Sequence, residues 1–452
     1  MADTLERELS PQTFERLNQA LADGLFVQAR STLNELEPAD IAHAFEASPP
    51  KGRKLLWQLL DEEREGDVLQ YLPEDMRESF LKDMAPAELA AATADLDTDD
   101  LADILNSLPN DKFRAVLLSM DAEDRERVEA VLSYPEDTAG GMMNTDTVTV
   151  RPELRIEQVL TELRQRGALP DGTDALFVTD QAGLLLGSVP LAVLLTSPPE
   201  QSVSEIMHPD VDAIPATLDD NEVAKLFERR DLLSAAVVDS ERKLLGRITI
   251  DDVVDVIRDE ADTSIKSMAG LDEDEDTFAP VFQSARRRVV WLGINLVSAL
   301  VASAVNNAFE GTLEALATVA VLLTIVPSMG GAAGNQAVTL TIRGLALGHI
   351  GDSNYRWLIG KEVAIGALNG LVLAGAVAGV VGVWKGNWPL AGVIAGALFT
   401  TLLIANLAGV AIPLALRRLG LDPALAGNLI LTSVTDVMGL LTFLGLTTLV
   451  LM

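Results

Sequence analysis

Five long apolar segments crowd the final third of the chain, near 289–309, 315–346, 361–384, 390–416 and 424–451. Each is long enough to cross roughly 30 Å of hydrocarbon as a helix. At that depth every backbone amide and carbonyl needs a partner inside the protein, so a bundle of spanning helices is the one fold open to residues 286–452. Basic residues order the crossings. Arg286, Arg287 and Arg288 precede the first segment, Arg343, Arg356 and Lys361 lie between the second and third, and Arg417 and Arg418 lie between the fourth and fifth. The opposite side has only Lys385. The positive-inside rule then puts residues 1–285 in the cytoplasm and the C-terminus outside.

Two stretches depart from a plain apolar helix. The run from Pro327 to Gln336, PSMGGAAGNQ, combines helix-interrupting Pro and Gly with two adjacent amides, Asn335 and Gln336. Such a sequence predicts broken backbone lining a cavity, or a close helix crossing through small residues. In the fifth segment Asn428, Thr432 and Asp436 recur every four residues, a polar stripe on one helix face. A carboxylate at membrane depth costs roughly 2.5–3.5 kcal/mol on insertion scales and marks function. No Lys or Arg lies deep in any segment to pair with Asp436, which favours a cation in transit over a structural ion pair.

The soluble part is intensely acidic. Residues 286–452 hold 9 Lys and Arg against 6 Asp and Glu, which leaves 25 against 61 in residues 1–285. Nucleic acid is excluded as a partner, because phosphate contacts need clustered Lys and Arg. Cation binding and ordinary solubilising acidity both fit this composition. There is no cysteine, and the three histidines (His43, His208, His349) are scattered, so thiolate or imidazole metal centres are not expected. The opening MADTLERELS has no apolar stretch to serve as a signal peptide. No nucleophile, base and orienter combination suggests an enzyme.

Residues 1–135 carry a pattern in which an apolar residue leads an acidic or Pro-bearing turn. It begins at Leu36, Met84, Leu96, Leu108 and Met120, the last four 12 residues apart. Pro or acid in a first turn starts helices, so a stack of short helices is predicted. Residues 141–258 contain a second repeat, each copy reading helix, strand, turn, strand, helix. Asp180 and Asp239 are 59 residues apart, as are Gly187 and Gly246. These copies resemble a tandem pair of CBS domains. Nucleotide-binding CBS motifs place Thr or Ser three residues before Asp. The second copy has Thr249 and Asp252 so arranged, while the first offers Pro190 and Val193, leaving ATP an expectation at one site. From Asp252 to Met268 apolar and acidic residues alternate at helical spacing, an amphipathic connecting helix, and LDEDEDTF (271–278) reads as a solvated linker.

Taken in order, the chain reads as a multidomain α plus α/β protein. Its parts are an acidic helical N-domain (1–135), tandem CBS domains (136–250), a connecting, plug-type helix and linker (251–285) and a five-helix transmembrane pore domain (286–452). With GGxxGNQ at 330–336 and DPALAGN…D at 422–436, it resembles the MgtE family of magnesium channels and transporters. The resemblance implies a homodimer in the cell inner membrane, with a pore near the two-fold axis. There the Asp436 pair attracts Mg²⁺ while Asn428 and Asn335 help hold its water shell, with Thr432 a further pore residue of the same stripe. Oxygen ligands suit a hydrated Mg²⁺, and no GxxxxGK[ST] loop suggests ATP-driven pumping, so passive influx is expected. The resemblance further implies closure by cytoplasmic Mg²⁺. The sensor positions it implies are Asp67, Asp99, Asp103, Asp219, Asp231, Asp252, Asp255 and Glu260. Asn221, Thr263 and Ser264 stand where the family would have carboxylates, and Ala332 where it would have Asn. A broader transporter of Co²⁺, Mn²⁺ or Ni²⁺, and a membrane-anchored CBS sensor that transports nothing, are the alternatives.

Overall fold

The computed structural model describes residues 11–94, 96–271, 275–351 and 353–452. They form two compact units, 1–261 with 276–279, and 262–275 with 280–452. The opening residues read for a signal peptide, and 272–274 of the linker, lie outside the described residues.

In the first unit, ten short α-helices run between Pro11 and Val131. The repeat is longer than the sequence reading found. Helical elements begin at Pro38, Pro50, Glu62, Glu74, Pro86, Thr98, Asn110 and Ala122, each 12 residues after the last. Further copies therefore open at Ser48, Leu60 and Leu72, hidden because a serine leads one and charged residues fill the next. The leading residue is buried in most copies (Leu36, Ser48, Leu60, Leu72, Met84 and Leu108). Twelve residues allow a helix of two to three turns plus a two-residue turn, so every copy returns the same face to one core. Aromatic packing centres that core: Phe45 lies 5.9 Å from Trp57 and 5.4 Å from Phe80, edge to face, and Trp57 stacks on Phe80 at 4.4 Å.

Two three-stranded sheets follow. In one, β1 (Thr149–Val150) pairs parallel with β2 (Ala175–Thr179), which pairs antiparallel with β3 (Leu185–Pro190). β4 (Ala213–Pro215), β5 (Ser234–Val238) and β6 (Leu244–Thr249) repeat that order. The register repeats too, Gly187 facing Val178 and Gly246 facing Val237. Both glycines have the same cause. A Cβ on Gly187 would come 2.7 Å from the His208 carbonyl oxygen, and one on Gly246 would come 2.6 Å from that of Asn144. Asp180 and Asp239 are turn formers. Each accepts two backbone N–H bonds at 2.8–2.9 Å across its hairpin, from Ala182 and Leu184 and from Glu241 and Lys243.

The connecting helix, Ile250–Met268, is held at its first turn by the residue that precedes it. Thr249 donates its hydroxyl (3.0 Å) and its backbone N–H (3.3 Å) to Asp252 Oδ2. The linker after it is less solvated than its composition suggests. Arg53, nearly buried, grips Asp276 through both terminal nitrogens (2.5 and 3.0 Å) and also bonds the Phe45 and Glu46 carbonyls. Within the second unit Glu275, its side chain 5 % exposed, pairs with Arg288 at 2.6 Å.

Among the described residues five helices are long and apolar enough to cross a membrane: Val281–Ala308, Thr318–Ala346, Tyr355–Lys385, Trp388–Arg418 and Ala426–Leu451. The fourth span is central, packed on the second, third and fifth, while the first packs on the fifth. The sequence predicted a break at Pro327–Gln336, and the structure corrects it. Ile325–Ala346 is one continuous helix with Pro327 in its first turn, where no N–H is needed. The interruption falls earlier, at Leu316 and around Leu323 and Thr324. The glycines serve the second possibility, close approach. A Cβ on Gly330 would lie 2.7 Å from Thr401 Cγ2, and one on Gly334 would lie 2.9 Å from Leu431 Cδ1. Gly409 of the fourth span answers them, 2.7 Å from Ala337 Cβ and 2.8 Å from the Gly334 oxygen by the same construction. Gly409→Ala should therefore lower the thermal midpoint in detergent, an overpacking cost of about 1–3 kcal/mol. Gly375→Ala, which meets open space, should leave it unchanged.

Candidate functional site

The polar stripe of the fifth span is built as its spacing predicts. Thr432 donates its hydroxyl to the Asn428 carbonyl at 2.9 Å, and Asn428 Nδ2 donates to the Met268 carbonyl at 3.2 Å. That second bond joins the last turn of the connecting helix to the head of the stripe. Asn428 and Thr432 open into a cavity of about 200 Å³, walled by Ser267–Leu271 and by Arg288, Trp291 and Asn295. Two helical turns past Asn428, Asp436 is partly exposed and has neither ion pair nor hydrogen-bond partner among the described residues. Asn335 stands exposed on the second span, one position from Gly334 where that helix meets Leu431. Hydroxyls line the neighbouring packing surface, with Thr401 and Thr442 bonded at 2.9 Å and Gly331 facing Thr435.

In the first unit the predicted carboxylates fall into three places. Asp99 and Asp103 sit on helix Thr98–Asn106, and Asp252 and Asp255 on the connecting helix. Asp99 and Asp252 come within electrostatic reach of one another. One oxygen of Asp99, Oδ1, is shut off from solvent and makes no hydrogen bond. Burial, and then the charge of Asp252, hold the Asp99 carboxyl well above the usual carboxylate range. Burial raises Asp100 to about 7, with Asp252 adding to it, and burial then Asp251 raise Asp252 to about 7. Asp103 is pushed up by burial to about 6, with Arg77 opposing. Asp255 is raised by burial, against Arg258.

Asp219 and Asp231 occupy a second place, the two ends of helix Asp220–Arg230. Asp219 caps the start, accepting from the Asn221 N–H at 3.1 Å, and Asp231 closes the end in a left-handed conformation at φ 51°. About 18 Å of helix separates them, so one ion does not bridge both within a chain. Asp67 is exposed on Glu65–Gln70, and Glu260 is exposed on the connecting helix. Among the described residues no three carboxylate or imidazole groups form a ready-made metal cage.

The expected sensor set leaves out Asp97, Asp100 and Asp251, although Asp97 and Asp100 lie in the repeat copy that opens at Leu96. Three acids in four positions at a helix start read as capping. Their approach to the connecting helix has no local signature. As a nucleotide site, Thr249 and Asp252 are hydrogen-bonded to one another.

An acidic helical domain and a CBS-type repeat, joined to five candidate spans, are the parts of a multi-pass membrane transport protein with a cytosolic domain. A family model for divalent cation transporters of the MgtE type matches residues 323–446, the MgtE intracellular N domain matches 36–137, and the CBS domain matches 203–259. The magnesium transporter MgtE of Thermus thermophilus is 34% identical over 442 residues, spanning 96% of this chain and 98% of that one. That of Bacillus subtilis is 29% identical over 428 residues, spanning 95% of each. The crystal structure of the cytosolic domain of the Mg²⁺ channel MgtE in complex with ATP is 32% identical, with a TM-score of 0.49, over 53% of this chain and 98% of that one. The chain belongs to the MgtE family of magnesium transporters, which are not enzymes.

The raised carboxyls carry a sign that can be checked. Their folded values, about 6 to 7, exceed the roughly 3.9 of an unfolded Asp. Between those limits the folded unit holds more protons than the unfolded chain, so stability falls as pH rises and the penalty is complete above about pH 7. With divalent ions chelated, the melting midpoint of the soluble unit in the full chain should drop between about pH 5 and 7.5. Asp99→Asn with Asp252→Asn should flatten that drop; a midpoint rising with pH would contradict the cluster.

Proposed function

We propose that the protein is a Mg²⁺ channel that lets the ion flow passively into the cell and closes when cytoplasmic Mg²⁺ is high. The observation that carries this reading is the stripe Asn428, Thr432 and Asp436, whose carboxylate has no partner among the described residues and whose head is bonded to the connecting helix. A charge at membrane depth with no protein counter-ion among the described residues attracts a cation, and oxygen donors one turn apart suit an ion that keeps its water. Asn335 contributes a further oxygen from the second span. The stripe lies on a partly open helix face, and the first span buries none of its hydrophobic window within one chain. Two copies around a two-fold axis would bring a pair of Asp436 carboxylates together, so the working unit in this reading is a homodimer in the cell inner membrane.

Gating follows from crowding. Asp97, Asp99, Asp100, Asp103, Asp251, Asp252 and Asp255 repel one another, and divalent ions screening them would hold helix Thr98–Asn106 against the connecting helix. Asp67, Asp219, Asp231 and Glu260 complete the sensor on the family pattern. The end of that connecting helix, Met268, then keeps its bond to Asn428 and the mouth stays shut. Mg²⁺ would act here as ligand and cargo at once, shifting the population toward the state that binds it better. ATP at Thr249 and Asp252 is a further regulator on the CBS pattern. Transport of Co²⁺, Mn²⁺ or Ni²⁺ is the second reading, favoured by the broader description of the matching family as divalent cation transporters.

In proteoliposomes loaded with a Mg²⁺ indicator, Asp436→Ala should lower the initial rate of uptake at least tenfold. Undiminished uptake would remove Asp436 from the pathway and leave a sensor that transports nothing as the better reading. Competition by Co²⁺, Mn²⁺ and Ni²⁺ in that assay decides selectivity. Gating is read separately, by limited proteolysis. Cleavage within Ile250–Met268 should slow as Mg²⁺ rises through the millimolar range, and Asp99→Asn with Asp252→Asn should abolish that protection. Cleavage indifferent to Mg²⁺ in the wild type would sink the gate while leaving the pore intact.

A further inference from the structure

The ends of the third and fourth spans meet in an arrangement that transport does not use. Arg356 and Arg418 both lie against the ring of Tyr355, their guanidinium carbons 5.8 and 5.4 Å from its centroid. Arg356 Nε also donates to the Tyr355 hydroxyl at 3.2 Å. The two cations are therefore no more than about 11 Å apart. Neither has a carboxylate partner among the described residues. Like charges so placed repel, and the ring face offsets only about 0.5–1 kcal/mol per exposed guanidinium. Arg417 is set apart, its Nη1 spent on the Ile350 carbonyl at 3.0 Å, which ties the preceding loop to the end of the fourth span.

The residues that follow each arginine in the chain include open apolar ones. Trp357 is 71% exposed, Leu419 73% and Leu421 54%. Both arginines sit where a membrane helix emerges, on the side that also bears Arg343, Lys361 and Arg417. Trp and Tyr favour the headgroup level of a bilayer, and basic clusters between spans on that side receive anionic headgroups. Guanidinium forks match phosphate oxygens in geometry as well as charge. A soluble phosphate would satisfy the arginines and leave Trp357 and Leu419 in water. A lipid satisfies both, with its phosphodiester between the guanidiniums and its acyl chains along the apolar flank.

We propose that Arg356, Arg418 and Tyr355 form a binding site for the headgroup of an anionic phospholipid at the cytoplasmic ends of the third and fourth spans. The site shares no residue with the stripe of the fifth span and rests only on the membrane reading of the helices. The test uses the full-length protein in detergent, titrated with dioleoyl phosphatidylglycerol, dioleoyl phosphatidylcholine or glycerol 3-phosphate, with bound lipid counted by native mass spectrometry. Phosphatidylglycerol should bind at least fivefold more tightly than phosphatidylcholine. Arg356→Gln with Arg418→Gln should remove that preference, and Arg343→Gln on the same side should keep it. Should the double variant fail to fold, Tyr355→Leu retains both charges but loses the ring, and is expected to weaken phosphatidylglycerol binding severalfold. Equal binding of the two lipids, an unchanged preference in the double variant or in Tyr355→Leu, or equal occupancy by glycerol 3-phosphate, would each overturn the proposal.

Discussion

A carboxylate inside an apolar helix has to be solvated by something, and much of the membrane unit can be understood from that demand. Among the described residues Asp436 has no basic partner, and the fifth span carries the Thr432 hydroxyl and the Asn428 amide on the same face. Close helix crossings at Gly330, Gly334 and Gly409 let the second, fourth and fifth spans pack with little lost volume. That packing leaves Asp436 on a partly open face, with no partner among the described residues. Removing the carboxylate would leave an ordinary apolar bundle.

Electrostatic cost is used differently in the soluble unit. There the carboxylates face one another and part of their charge is suppressed by protons. Burial alone makes such a cluster unfavourable, and no lysine enters to neutralise it. The two helices that carry it, Thr98–Asn106 and Ile250–Met268, are held by separate means: the twelve-residue stack for one and the Thr249–Asp252 hydrogen bonds for the other. Arg77 and Arg258 offset only part of that repulsion, which is what a divalent ion would relieve in the proposed gate. An apolar contact in the same place would give such an ion nothing to relieve.

Local periodicity carried far into the structure. Twelve-residue spacing announced the helical stack, because each helix starts with its own Pro or acid. It was undercounted where Ser48 replaced the usual leucine. The 59-residue spacing of Asp180 and Asp239 announced two equivalent hairpins, with the aspartates serving the turns. Other features depend on partners distant in sequence and leave no periodic trace. The meeting of Asp99 with Asp252 is one, and the pairing of Arg53 with Asp276 is another, which made a run of acids look solvated.

By itself the sequence determined the five spans, their charge asymmetry, the repeats and the stripe ending in Asp436, since each is written in residues near one another along the chain. Only the tertiary structure decided that Pro327 to Gln336 is a continuous helix, because the glycines there answer to Thr401, Leu431 and Gly409 on other helices. It also decided which acids crowd together and that Asn428 bonds the end of the connecting helix. Hydrophobic length and helical period are local quantities. The environment of a charge is not, because it depends on whatever the rest of the chain brings within a few ångströms.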